Sequence, residues 1–113
     1  MSKKIYFDLD GTLYGLYKMP NWLDRLENEV AGIFTDGAWE LGKQEKEDFL
    51  FCIYELIKNG YEFGVISWLP MRASPEYLEI CRKEKLAWIQ ENIPFVNEIN
   101  LIPYGTLKQN AIQ

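Results

Sequence analysis

The sequence predicts an α/β domain, a parallel sheet flanked by helices, on three observations. The first apolar run, Lys4-Ile5-Tyr6-Phe7, stops on the acidic turn Asp8-Leu9-Asp10-Gly11-Thr12-Leu13. Downstream, strand-like and helix-like patterns alternate, and strand, helix, strand in that order requires a right-handed parallel crossover. At 113 residues, 48% of them hydrophobic, the chain (residues 1–113) has the size of one domain with a real core.

Lys4–Phe7 reads as a buried strand. Asp8 and Asp10 leave its end two residues apart, so their side chains point the same way, and Gly11 lets the backbone turn away. An apolar strand ending on two acids packs poorly but suits an active site, because ligands of open α/β sheets gather at the carboxyl ends of the strands. Phosphoryl transfer is the chemistry that fits. A carboxylate attacks phosphorus only where a divalent cation screens the two anions, and Mg²⁺ prefers oxygen ligands. Asp8 is the candidate nucleophile and a metal ligand. Asp10 is the second metal residue, through its main-chain carbonyl, while its side chain protonates the leaving oxygen and later activates water. The backbone N–H groups of Gly11 and Thr12 are expected to face the phosphoryl oxygens.

Asp8–Leu13 resembles the first motif of the haloacid dehalogenase superfamily, D-x-D-G-T-L or D-x-D-G-T-V, at all six positions. The resemblance implies a Rossmann-like sheet of haloacid dehalogenase type and an Mg²⁺-dependent phosphatase that forms an aspartyl-phosphate.

After Leu13 the pattern changes. Tyr14–Met19 is an aromatic loop, and Pro20-Asn21 opens a helix with Leu23, Leu26, Val30 and Ile33 at helical spacing and Asn21 as N-cap. Phe34–Gly42 returns as a loop. An insert at this place, residues 14–43, resembles the small helical cap that many superfamily members carry. Tyr14, Tyr17, Trp22, Phe34 and Trp39 are its aromatic stock, for packing the helix down or for stacking on a substrate ring. Gly37–Lys43 has the G-x-x-x-x-G-K spacing of a P-loop, but Gln44 follows the lysine and no strand precedes it, so the match is coincidence.

Gln44–Asn59 is an amphipathic helix with Phe49, Ile53, Leu56 and Ile57 on one side, closed by Gly60 in a left-handed cap. Tyr61–Ser67 is the second strand, which brings Ser67 beside Asp8. The superfamily's second motif is a Ser or Thr at this strand end, so the resemblance implies that the Ser67 hydroxyl and the backbone N–H of Trp68 bind the phosphoryl group. Ser74-Pro75 starts a helix that runs to about Asn92, with Tyr77, Leu78, Cys81, Leu86, Trp88 and Ile89 as its apolar positions. The stretch Lys83–Ile89, with Pro94 beyond it, resembles the 5'-deoxyribonucleotidase-like branch of the superfamily, which makes nucleotides candidate substrates.

Glu98–Pro103 is the third strand. The third motif of the superfamily is a lysine that offsets the negative charge at nucleophile and phosphate. Lys108 is the first choice for it, and Lys85 is the reserve. No acidic pair follows Lys108, so the strand with the fourth, metal-completing motif is absent. The expectation is therefore a fragment or a short product with an incomplete metal site, and a third strand whose open edge favours self-association. The rival function is a non-catalytic remnant that binds phosphate or serves in assembly.

Composition narrows the partners. Twelve basic against seventeen acidic residues give a net charge of −5, which argues against a nucleic-acid polymer and leaves a small phosphate ester. The absence of histidine removes histidine phosphatases, Ser-His-Asp triads and histidine metal sites. Cys52 and Cys81 lie among helical apolar residues and are expected to be buried, reduced thiols. No run reaches membrane-spanning length and no secretory signal opens the chain, so the expected location is cytoplasmic.

Overall fold

The computed structural model describes residues 3–106. Within them, strands β1 (Lys3–Asp8), β2 (Tyr61–Trp68) and β3 (Glu98–Ile102) form one parallel sheet in the order β1-β2-β3. Helices α1 (Trp22–Glu27), α2 (Lys43–Lys58) and α3 (Pro75–Asn92) complete the described elements, with a short 3-10 turn at Leu16–Lys18. The chain is thus an α/β protein with a parallel sheet flanked by helices. No helix among the described residues is long and apolar enough to cross a membrane.

Burial follows the strand order. β2 is central, and Phe63, Gly64, Val65, Ile66 and Ser67 are all buried. β1 carries the apolar run that reads as a buried strand, but it lies at the side of the sheet and its residues are only half-buried or exposed. In the β1–β2 register Phe7 faces Val65 and Asp8 faces Ile66. Ser67 therefore sits one residue beyond the partner of Asp8, at the same end of the sheet.

The long helices start and stop on local chemistry. Ser74 caps α3 by accepting the Tyr77 N–H at 3.1 Å, with Pro75 in the first turn. Gly60 takes φ +88 just after α2, the left-handed stop that a residue without Cβ accepts readily. Ile53 is the one fully buried residue of α2. Ile57 is exposed, and so is Cys52, which shares the outer side of the helix with exposed Phe51 and Tyr54. Only Cys81 is a buried thiol, pushed up to about 11 mainly by that burial.

The insert departs most from its pattern. α1 ends at Glu27, well before Val30 and Ile33, and Asn21 precedes it in a left-handed conformation without a side-chain cap. Glu29 is also left-handed at φ +53, which ends the helical path. Its carboxylate reaches α3 instead, accepting from the Ser74 N–H at 3.0 Å and the Ser74 hydroxyl at 2.6 Å. Val30 and Leu23 are consequently exposed, whereas Ile33 is buried from a loop rather than from a helix.

Tyr14 holds this loop together. Its ring is buried and meets Trp88 edge-on at 5.3 Å. The hydroxyl donates to the Ile33 carbonyl and accepts from the Gly37 N–H, both at 2.7 Å. Burial pushes this phenol up to about 12. The core is continuous from these residues through Leu9, Val65 and Cys81 to Ile89 and Ile93, so the insert is packed on the sheet and on α3.

Candidate active site

The carboxyl end of β1 is a turn built on one carbonyl. Leu9 O accepts from the N–H groups of Thr12 (3.2 Å), Leu13 (2.9 Å) and Tyr14 (2.8 Å). The Gly11 N–H donates to the Tyr14 carbonyl at 2.8 Å. Gly11 stands at φ +79, and a Cβ there would meet the Tyr17 ring at 2.7 Å, so both the backbone angle and the space require glycine. One expectation is corrected here. The amides of Gly11 and Thr12 are spent inside the turn and do not point at an open phosphate site.

The turn sets Asp8 and Asp10 on the same cavity of about 390 Å³. One Asp8 oxygen accepts the Leu9 N–H at 3.0 Å. Across the cavity stand Tyr17, Trp22 and Phe34 from the insert, Trp68 from β2 and Tyr104 from beyond β3. Volume and lining suit a small organic ligand held by apolar walls with a few polar groups at one end. Charge at that end acts on the walls: the Tyr17 hydroxyl is raised above its ordinary value by burial first and by Asp10 and Asp8 second.

Lys85 supplies the counter-charge. It is wholly buried on α3, and its Nζ donates to Asp10 Oδ2 (2.9 Å), Ser67 Oγ (2.8 Å) and the Trp68 carbonyl (2.7 Å). An ammonium has three protons, and all three are engaged. The Phe34 ring lies 4.3 Å from Nζ and covers the remaining side. The reserve lysine of the sequence reading, Lys85, is thus brought to Asp10. Lys108 lies outside the described residues.

Lys85 is held in place by its neighbour. The Glu84 carboxylate accepts from the Gly32 N–H at 2.7 Å and the Phe34 N–H at 3.1 Å, tying the insert to the same turn of α3. The Tyr77 hydroxyl adds a bond to the Val30 carbonyl at 2.8 Å. Glu84 and Tyr104 escape a motif-based reading, because no local pattern joins Glu84 to an insert some fifty residues away or Tyr104 to the first strand end; Phe34 belongs to the aromatic stock named from the sequence. Trp68 acts through two further groups: its indole N–H donates to Thr106 O at 2.8 Å, and its ring packs on Tyr104 at 4.9 Å between centroids.

The donors present fit a hard cation in kind. Asp8 and Asp10 both face the cavity, and Asp10 Oδ1 is buried without a hydrogen-bond partner, an acceptor that a metal or a proton would satisfy. In number the set is small: among the described residues no three His, Cys, Asp or Glu side chains gather to hold a metal. Two acids, a buried lysine and a hydroxyl thus converge at one strand end. No family model, curated protein or solved structure matches the chain.

Proposed function

We propose that this chain is an Mg²⁺-dependent phosphomonoester hydrolase of haloacid dehalogenase type, working through an aspartyl-phosphate on Asp8, with nucleotides among its candidate substrates. The observation that carries the reading is the three-way engagement of buried Lys85 with Asp10, Ser67 and the Trp68 carbonyl, behind a cavity that Asp8, Asp10 and Trp68 line.

Each residue then has a task. An Asp8 carboxylate oxygen attacks phosphorus, and the bond to the ester oxygen breaks as Asp10 protonates it. In the second half, Asp10 takes a proton from water, which attacks phosphorus and returns Asp8 to its free form. Lys85 occupies Asp10 Oδ2, so Oδ1 is the atom that carries the proton. Because Ser67 Oγ accepts from Lys85, its own proton is directed away, toward a phosphoryl oxygen. Bound Mg²⁺, held by the Asp8 carboxylate and the Asp10 main-chain carbonyl, would screen nucleophile from phosphate. The insert closes the site on one side as a small cap.

The second reading, a phosphate-binding remnant, is favoured by the small number of acids around the cation site. Hydrolysis of small phosphate esters with and without Mg²⁺, by the native chain and by Asp8→Asn, separates the two. The expected loss on substitution is on the order of a thousandfold or more, with far-ultraviolet circular dichroism unchanged. Turnover that survives Asp8→Asn would overturn the mechanism, and binding of phosphate without any turnover by the native chain would select the remnant.

A further inference from the structure

A second cavity, of about 310 Å³, adjoins the first. Leu69, Pro70, Met71 and Tyr104 line both, so the two are separated by one shared apolar ridge. Their charges differ completely. Among the described residues the first cavity is lined by Asp8, Asp10 and Glu27 and by no basic residue, whereas the second has Arg72 and Arg82 and no acid. In a chain of net charge −5, two arginines from different elements facing one hollow are a local reversal of sign.

Among the described residues neither guanidinium is held by a close ion pair. Among the described residues Arg72 has no hydrogen-bond or ion-pair partner, and its backbone is left-handed at φ +58. Arg82 makes only a 3.6 Å contact with Glu79, with both side chains about half exposed, a geometry that contributes little. Arg82 also precedes Lys85 by three residues on α3, which puts the two on neighbouring positions of one helix face, about 4.5 Å apart along the axis. The lysine serves the strand-end site and the arginine the hollow beside it.

We infer that the second cavity is a subsite for a distal anion, so that the preferred substrate is a phosphate ester carrying a second phosphate or carboxylate beyond an apolar spacer. This rests on the phosphomonoesterase reading of the strand-end site. The spacer crosses the ridge at Met71 and Tyr104, and the distal group meets the Arg72 and Arg82 forks, which match a planar or tetrahedral oxyanion by paired N–H donors.

The test compares n-alkyl phosphates with α,ω-alkanediol bisphosphates and ω-carboxyalkyl phosphates of the same chain length. Binding to the native chain, and to Arg72→Gln and Arg82→Gln singly and together, is followed at fixed ionic strength by the fluorescence of Trp22 and Trp68, which line the first cavity. At the best spacer length the native chain should bind a doubly anionic ligand at least about tenfold tighter than the alkyl phosphate, and the double variant should lose most of that advantage. Preference for the bisphosphate or for the carboxylate names the distal group. Equal affinities in the native chain, or an advantage untouched by the double substitution, would overturn the subsite. Hydrolysis is measured on the same ligands. Arginine-dependent binding without turnover would sink the phosphatase reading and leave the subsite standing; turnover of simple esters with no gain from a second anion would do the reverse.

Discussion

Lys85 concentrates the energetics of the site in one side chain. A buried ammonium is tolerated only when paired and fully hydrogen-bonded, and Asp10, Ser67 and the Trp68 carbonyl meet that need. Removing it exposes the counterparts to the same penalty: Asp10 becomes an uncompensated, largely buried carboxylate. Lys85→Ala should therefore destabilise the fold by about 3–5 kcal/mol and lower any phosphatase turnover by roughly a hundredfold or more. Urea denaturation and a phosphate-release assay measure the two losses. Lys108→Ala is the matched comparison, expected to leave both close to native. If Lys108→Ala abolishes turnover while Lys85→Ala spares it, the assignment of the charge-balancing lysine is reversed.

Between elements, the sheet carries a clamp at the end opposite the site. Glu98 of β3 accepts from Lys4 Nζ of β1 at 3.0 Å and from Asn100 Nδ2 at 2.7 Å, reaching across the central strand. The Asn100 bond first, then those from Tyr6 and Lys4, hold its carboxyl down at about 2, against an ordinary value of 4.5. A lowered folded-state value means that the native sheet prefers the charged form. The stabilisation is present in full above the ordinary value and is lost as pH falls from 4.5 toward about 2. Urea midpoints should decline through that window, and Glu98→Gln should flatten part of the decline. An unchanged acid limb in the variant would remove Glu98 from the account.

The insert obeys a similar rule. Its helix is short because the chain gains more from Glu29 on Ser74 and from Glu84 on the Gly32 and Phe34 amides than from further helical turns. These bonds fasten the insert to α3, the helix that carries Lys85.

At the scale of the whole molecule, β2 is paired on both sides, whereas β1 and β3 each have a strand neighbour on one side only among the described residues. β1 begins with Lys3 and Lys4, charges that discourage strand addition. β3 has Ile99, Leu101 and Ile102, half-buried and without a basic residue, and is the side where a further strand adds more easily. Sedimentation velocity over a range of protein concentrations should show a mass that rises with concentration. A monomer throughout would remove the expectation of edge pairing.

Features that depend on neighbours in the chain are legible before any fold is known. The acidic turn after the first strand, the Ser74-Pro75 start of α3, the Gly60 stop and the strand-helix-strand order are all readable locally, because caps, turns and periodicity act over a few residues. The pairings within the site come from the fold. Lys85 meets Asp10 across 75 residues of chain, and Glu84 meets Gly32 across 52, so neither contact leaves a local signal. Packing likewise took the Gly11 and Thr12 amides into the turn, left β1 half-buried, and brought two arginines to a hollow beside the acids. The physical reason is the same in each case: a side chain's charge and hydrogen bonds are settled by what the fold sets against it, and that set is assembled from distant segments.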